Sequence, residues 1–126
     1  MKRLFIALAL TALVLGASFW EAFYIGRQAD RYTARIEAVD RLLTQNQTGS
    51  ALALCSETER DWDSEVGKIY TLLSHDYADA IGGAIAKMRA YLENNRLDMY
   101  YAESTSAKKG LASVKGSEYP LPENIL

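Results

Sequence analysis

Hydrophobic positions along the chain follow two different patterns, one before and one after about residue 25. Residues 4–20 carry no charged side chain and are mostly apolar, whereas later apolar residues recur at alternating intervals of three and four. The first pattern is typical of a helix that spans a membrane, and the second of helices that bury one apolar stripe in a bundle. The sequence therefore predicts an all-α protein with an N-terminal transmembrane helix.

The N-terminal segment has the length and the borders of a membrane-spanning helix. A helix over residues 4–25 is about 33 Å long, which matches the roughly 30 Å hydrocarbon layer. Aromatic side chains cluster at its outer end, where they collect in membrane helices: Phe19, Trp20, Phe23 and Tyr24. Because Lys2 and Arg3 precede it, we expect this start inside the cell and the rest of the chain on the extracytoplasmic side.

A cleaved signal peptide is the alternative interpretation of the same segment. Lys2 and Arg3 would form its positive start, residues 4–15 its apolar core, and residues 16–18 the small side chains before a cleavage site. We favour a retained anchor over residues 1–25, since the aromatic cluster marks a membrane boundary.

A first helical hairpin is predicted behind the anchor. Its first helix places six residues on one stripe: Ile25, Ala29, Tyr32, Ile36, Val39 and Leu43. Its second helix has one charged exception, Glu59, on its stripe: Leu52, Cys55, Glu59, Trp62, Val66, Ile69 and Leu73. Residues 45–50 interrupt the pattern, with Gly49 suited to a left-handed turn and Ser50 to a helix N-cap. Such a short connection predicts antiparallel packing.

A second hairpin is predicted after an interruption at residues 74–76, where Asp76 is suited to cap the third helix. The apolar stripe of this helix is Ile81, Ile85, Met88 and Leu92, with Tyr91 as the alternative at the last position. Gly82 and Gly83 weaken it by roughly 1 kcal/mol each relative to alanine, which favours a close helix contact or a kink there. The fourth helix has the least apolar stripe: Leu97, Tyr101, Ser104, Ala107 (or Lys108), Leu111 and Val114.

Together the two hairpins predict an antiparallel bundle of three to four helices over residues 26–115. The remaining segment, residues 116–126, contains both prolines of the chain and is expected to lie near the membrane or across the lower end of the bundle.

Composition limits the size and the partners of the part beyond the membrane. After the first 20 residues 106 remain of 126, which suffices for one small domain. Without Lys2 and Arg3, the 14 Lys and Arg residues become 12 against 16 Asp and Glu, and both signs are interspersed. We therefore expect no nucleic-acid partner. Cys55, the single cysteine, is expected to be a buried thiol.

The candidate chemical sites are incomplete, so we expect neither an enzyme nor a cofactor or metal. Asp61, Asp63 and Glu65 alternate like the start of a calcium loop, but the glycine and glutamate that such a loop needs later are missing. His75 and Asp79 supply half of a zinc site, and the sequence offers no second histidine or cysteine pair.

Tyrosines and the last four residues are the candidate contacts with a partner. Tyrosine supplies rigid contact area at low entropic cost, and this chain has eight. Tyr70, Tyr77 and Tyr100 flank the predicted stripes rather than occupy them. The last four residues would dock into a partner or fold back onto the bundle, and we favour the second: Glu123, Asn124, Ile125 and Leu126.

Over nearly its whole length the chain resembles domain-of-unknown-function family 4363, small helical proteins of Firmicutes. The resemblance rests on the start MKRLFIAL, on Trp62, on the break at His75 and Asp76, and on the ending ENIL. It implies a single-span or exported all-α protein without assigned activity. Some relatives are encoded beside multi-span membrane proteins, which implies a partner of that kind.

These patterns lead to two expectations for function. The first is a non-enzymatic accessory module, a single-pass protein of the cell membrane with its body at the outer face of a bacterial cytoplasmic membrane. It would contact membrane lipid through its N-terminal helix, and another membrane protein or a second copy of itself through its bundle. The alternative is an exported ligand-sensing bundle that signals through a separate partner.

Overall fold

The chain folds into four α-helices, in keeping with its heptad spacing. The structure is a computed structural model that describes residues 1–69 and 75–118, without the side chains of residues 69, 117 and 118. The helices are α1 (Lys2–Thr44), α2 (Thr48–Ile69), α3 (His75–Glu93) and α4 (Leu97–Glu118). α1 packs against α2 and α4, and α3 packs against the same two helices, so the four surround one core. The predicted all-α bundle is confirmed.

The apolar stripes of α1 and α3 form two sides of this core as predicted. All six stripe positions of α1 are buried: Ile25, Ala29, Tyr32, Ile36, Val39 and Leu43. All four positions of α3 are buried as well, and Ala78 and Ala84 join them. Both stripes are apolar throughout except for the hydroxyl of Tyr32, so their spacing alone identified the buried face.

The stripe of α2 differs from the prediction at two positions. Ala51 and Thr58 are buried where Leu52 and Glu59 were expected, and the predicted Cys55 and Trp62 are buried. The predicted Val66 is partly buried against the core, and the side chains of Ile69 and Leu73 lie outside the described part of the chain. Thr58 tolerates burial because its Oγ1 donates a hydrogen bond to the Leu54 carbonyl oxygen at 2.7 Å.

The stripe of α4 also differs from the prediction, at its first two positions. Leu97 and Tyr101 are 42% and 41% exposed, and Tyr100 is fully buried in their place. From Ser104 onward the predicted positions of α4 are buried.

Asparagine, not glycine, makes the turn that closes each hairpin. Asn46 and Asn95 have φ values of 59° and 55°, in the left-handed region. The residue after each asparagine donates its backbone N–H to a carbonyl oxygen five positions back, Gln47 to Leu42 at 2.9 Å and Arg96 to Tyr91 at 2.8 Å. Both turns are therefore Schellman motifs with asparagine at the left-handed position.

The predicted roles of Gly49 and Ser50 are wrong for the same reason. Because Asn46 already reverses the chain, α2 begins at Thr48, and both residues lie inside its first turn. Asp76 likewise lies in the first turn of α3, which begins at His75, and not before the helix.

The two hairpins repeat each other at an offset of 49 residues. Each of the following pairs is buried in corresponding helices: Ile36 and Ile85, Val39 and Met88, Leu43 and Leu92, Cys55 and Ser104, Trp62 and Leu111. The two turn asparagines, Asn46 and Asn95, have the same offset. The bundle thus consists of two similar hairpins that pack against each other.

Two glycines allow side chains of neighbouring helices to approach closely. A Cβ atom on Gly82 would lie 2.8 Å from Nε1 of Trp62, and a Cβ on Gly110 would lie 2.9 Å from Cγ1 of Ile81. Gly83 would meet nothing within 4 Å. The close contact predicted at the glycine pair in α3 therefore exists, and Gly82 provides it.

α1 passes from the predicted anchor into the bundle without interruption. Its residues before Ala22 are exposed, and Ala22 is its first buried residue. α4 continues to Glu118, three residues into the segment predicted as a tail. The rest of that segment, residues 119–126, lies outside the described residues.

Candidate functional site

The first half of α1 projects from the bundle as an apolar helix. Among the described residues it is the one helix long and apolar enough to cross a membrane. Its two hydroxyl groups are satisfied within the helix: Thr11 donates to the Ala7 carbonyl oxygen at 2.8 Å, and Ser18 to that of Val14 at 3.0 Å. Such back-bonded hydroxyls need no water, which suits a hydrocarbon environment.

An aromatic collar follows the apolar segment where α1 approaches the bundle. The rings of Trp20 and Tyr24 stack with their centroids 5.7 Å apart. The guanidinium carbon of Arg27 lies 5.7 Å from the centroid of the Phe23 ring. Aromatic rings followed by a cation are the arrangement expected where a helix leaves the hydrocarbon and enters the headgroup layer.

The structure describes two of the three tyrosines predicted to contact a partner. Tyr77 lies in the first turns of α3 and is 39% exposed, so it remains a candidate. Tyr100 is fully buried, and its selection was wrong. The predicted stripe leaves Tyr100 out because the register predicted for the start of α4 differs by one residue from the observed register. Tyr70 and the four C-terminal candidates lie outside the described residues: Glu123, Asn124, Ile125 and Leu126.

Leu97 and Tyr101 form an exposed apolar patch that the sequence interpretation assigned to the core. They lie one turn apart at the start of α4, at the end of the bundle farthest from the apolar half of α1. We call this pair the distal patch. The sequence signal for this patch is Asn95, which occupies the same turn position as Asn46. Aligning the two asparagines gives α4 the observed register relative to α2.

A cluster of polar side chains surrounds Asp40 between α1 and α4. Its carboxylate accepts hydrogen bonds from Tyr100 Oη at 2.7 Å, from Ser104 Oγ at 3.0 Å and from Lys108 Nζ at 2.9 Å. Burial, together with the charge of Asp40 and the hydrogen bond to it, holds the pKa of Tyr100 well above its usual range. Tyr100 therefore keeps its proton, and all three side chains of α4 donate to the same carboxylate of α1. These hydrogen bonds hold α4 against α1.

A second ion pair occupies the corresponding place between α2 and α3. Arg89 donates to Glu59 and also to Glu93, at 2.9 Å. At the 49-residue offset Arg89 corresponds to Asp40, and Glu59 corresponds to Lys108, so the two sites carry opposite charges. Cys55 is buried near this pair, and its burial raises the pKa of the thiol to about 12. A thiol with that pKa is protonated at neutral pH and is a poor nucleophile.

Two of the three acidic residues that alternate like the start of a calcium loop, Asp61 and Glu65, pair with arginines of α1. Asp61 accepts from Arg35 at 2.6 Å, and Glu65 accepts from Arg31 at 3.3 Å and from Tyr32 Oη at 2.9 Å. Within residues 1–69 and 75–118, His, Cys, Asp and Glu form no group that could hold a metal ion. These carboxylates tie α2 to α1.

A small cavity lies near the end of the bundle that α1 enters. Its volume is about 20 Å³, and residues of all four helices line it, among them Tyr24, Gln28, Trp62, Ile81 and Leu111. The side-chain oxygen of Gln28 is buried and lacks a hydrogen-bond partner in the described structure. A cavity of this size has room for about one water molecule.

Comparison with known proteins assigns the chain to a family. Residues 19–125 match the family described as "Domain of unknown function (DUF4363)". No curated protein and no solved structure matches the chain. The family match begins at the aromatic collar and includes the bundle portion of α1 and all of α2, α3 and α4. Since it covers well over half of the sequence, the protein belongs to the DUF4363 family, as the resemblance indicated.

Proposed function

We propose that this protein is a non-enzymatic, membrane-anchored accessory module whose bundle contacts another membrane protein or a second copy of itself. The observation that carries the proposal is the two-part character of α1. Its first half is exposed and apolar, and its second half supplies one side of the bundle core. A single helix of this kind would hold the bundle directly at a membrane surface.

The orientation that we propose places the bundle at the outer face of a bacterial cytoplasmic membrane. Lys2 and Arg3 precede the apolar segment and favour the inside of the cell. The back-bonded hydroxyls of Thr11 and Ser18 support a location of this segment in hydrocarbon. A protein retained in this way is single-pass.

Alkaline extraction of membranes from the native host tests the anchor. We expect the full-length protein to stay in the membrane pellet and to have the intact mass of residues 1–126. Recovery in the soluble fraction, with a mass that lacks the first 16–18 residues, would show a cleaved signal peptide and overturn the anchor.

The exposed apolar side chains of the bundle support an interaction role. The distal patch presents Leu97 and Tyr101, and Tyr77 is exposed near the opposite end of the bundle, on α3. Exposed aromatic and aliphatic side chains that lie together are typical anchors of protein interfaces. By contrast, the charged groups between the helices, such as Asp40 and Glu59, are engaged in pairs inside the bundle.

Site-specific photocrosslinking in native membranes tests the interaction. A photoreactive residue at position 101 should give one discrete crosslinked product, and Leu97→Ser should reduce its yield severalfold. Position 105 provides the control, because Thr105 is exposed on the same helix one turn further on. Equal yields from positions 101 and 105 would contradict a role of the distal patch.

Ligand sensing is the second candidate function, and the cavity beside Trp62 is the observation that favours it. Four helices converge there next to the membrane-spanning segment, so a ligand that widened the cavity would also displace α1. Since its present volume admits about one water molecule, the bundle would have to open before a metabolite could enter. A melting temperature that rises with the concentration of one small molecule would support this alternative.

A further inference from the structure

An open cleft lies on α1 immediately beyond the aromatic collar. Its volume is about 460 Å³, and Tyr24, Arg27, Gln28 and Arg31 line it. These residues are spaced at i, i+3, i+4 and i+7, so they share one face of the helix. The cleft thus brings two guanidinium groups together beside an aromatic ring.

Arg27 contributes a positive charge that forms no ion pair with a carboxylate of the described residues. It is exposed, and its guanidinium lies over the Phe23 ring. Arg31, in contrast, pairs with Glu65 at 3.3 Å, yet its side chain is still 51% exposed. A guanidinium has five N–H donors, so Arg31 retains donors for a second anion.

The depth of Arg27 matches the phosphate layer of a membrane. If the hydrocarbon layer begins at Leu4, its outer edge lies about 20 residues later, near Phe23. Arg27 is then about 6 Å further out, within a headgroup layer of roughly 5–7 Å. Side chains on a helix lean toward its N-terminus, so Arg27 and Arg31 both lean back toward the bilayer.

Two acidic residues of α1 lie near this depth, and neither lines the cleft. Glu21 is exposed six residues before Arg27, which places the two side chains about 120° apart around α1. Asp30 follows Arg27 by three residues, about 60° around the helix, and its carboxylate accepts a hydrogen bond from Lys115 Nζ at 2.9 Å. An anion in the cleft would therefore face the two arginines, with Glu65 of α2 beside Arg31.

We propose that Arg27, assisted by Arg31, binds the phosphate group of an anionic phospholipid in the membrane that holds the anchor. A guanidinium fork matches two phosphate oxygens, and Phe23 restricts the movement of the Arg27 side chain. This inference rests on the proposed function, because it requires α1 to span a bilayer. The bound lipid would fix the height and the rotation of the bundle above the membrane.

Native mass spectrometry of the full-length protein in a non-ionic detergent tests the lipid site. The protein is mixed with phosphatidylglycerol or phosphatidylcholine, and the fraction that retains one lipid is measured. We expect phosphatidylglycerol to be retained preferentially, and Arg27→Gln to weaken its apparent affinity about fivefold. Arg41→Gln is the matched control, since Arg41 is an exposed arginine of the same helix about 21 Å further from the membrane.

Three outcomes would overturn the lipid site: equal retention of both lipids, equal loss in the two variants, or displacement of the lipid by an equal concentration of inorganic phosphate. Failure of the proposed function is measured separately, by alkaline extraction of the native membranes. A protein that stays in the membrane pellet but fails the lipid measurements keeps its anchor and loses only the phosphate site.

Discussion

Trp62 and Gly82 show at the scale of single residues how the bundle is packed. The indole of Trp62 meets the Tyr32 ring edge-on, with centroids 5.0 Å apart, and its Nε1 atom lies 2.8 Å from the place that a Cβ on Gly82 would occupy. One large side chain thus joins α1, α2 and α3 because the facing position has no side chain. Such complementary sizes make a packed core specific.

Alanine substitutions at the two adjacent glycines of α3 should have opposite effects. Gly82→Ala is expected to lower the free energy of unfolding by about 1–2 kcal/mol, since displacing Trp62 costs more than the gain in helix propensity. Gly83→Ala is expected to raise it by about 0.5–1 kcal/mol, because nothing lies within 4 Å of the new methyl group. Urea denaturation measures both, and changes of the same sign would contradict the close contact.

Cys55 should make stability depend on pH in the alkaline range. Burial raises the pKa of its thiol from 9.0 to about 12, and the charge of Glu59 acts in the same direction. Between pH 9 and 12 the folded thiol keeps its proton and the unfolded thiol loses it. The contribution of the thiol to the free energy of unfolding is therefore complete below pH 9 and is lost between pH 9 and 12. Tyr32 and Tyr100 also have a raised pKa, through burial, and act in the same sense.

Substitution of Cys55 isolates its part of this effect. We expect the free energy of unfolding to fall above pH 9, and to fall less steeply in Cys55→Ala, by up to about 1.4 kcal/mol per pH unit. Urea denaturation at pH 8, 9 and 10 compares the slopes. Parallel slopes for the two proteins would mean that the thiol titrates normally in the folded state.

At the scale of elements, the bundle is two similar hairpins with opposite charges at equivalent sites. Asp40 of α1 pairs with Lys108 of α4, while Arg89 of α3 pairs with Glu59 of α2. If the first hairpin paired with a copy of itself, Asp40 would face Glu59. If the second did so, Arg89 would face Lys108. The charges therefore favour pairing between the two different hairpins and disfavour pairing of either with itself.

Reversal of one charge should destabilise the bundle, and reversal of both should restore it. Glu59→Arg places two guanidinium groups together and is expected to cost about 1–3 kcal/mol of unfolding free energy. Adding Arg89→Glu should recover more than half of that loss. Arg60→Glu, an exposed change at the next position, is the control and should stay within about 0.5 kcal/mol of the unchanged protein. A double variant no more stable than Glu59→Arg alone would argue against the pair.

At the scale of the whole molecule, α1 joins an apolar segment to the bundle through one continuous helix. The bundle begins at Ala22, so residues 1–21 contribute nothing to its core. Displacement or rotation of the apolar half would be transmitted directly into the second half, because no loop separates them.

Removal of residues 1–21 should leave a folded protein that needs no detergent. We expect a predominantly helical circular-dichroism spectrum and cooperative unfolding, since every buried residue of the four helices is retained. The full-length protein in detergent micelles is the control and should unfold with a similar midpoint. A truncated protein that is mainly coil or sheet would refute the assignment of the core.

The accuracy of the sequence interpretation depended on how apolar each helix is. The stripes of α1 and α3 are almost purely apolar, so their spacing identified the buried face directly. α2 and α4 mix polar and apolar residues, and there the interpretation chose Leu52 and Tyr101 for the core over Ala51 and Tyr100. In both helices the buried residue is one position earlier than predicted, because the turn at each asparagine sets where the next helix begins.

Tyr100 shows most clearly what a sequence does not contain. Its hydroxyl is buried because Asp40, 60 residues away in the chain, accepts its hydrogen bond. The sequence pattern does not single out Asp40, because an acidic residue directly after a stripe position normally faces solvent. A partner so distant in sequence is defined by packing and not by local pattern.

The sequence by itself determined the apolar N-terminal helix, an antiparallel bundle of three to four helices and the buried faces of α1 and α3. These features follow from local periodicity and length, because each helix must bury the stripe it carries. The tertiary structure alone decided the registers of α2 and α4, the polar cluster at Asp40 and its charge-reversed counterpart at Arg89. Those depend on which helices become neighbours, and that is set by how the four stripes and two turns fit together.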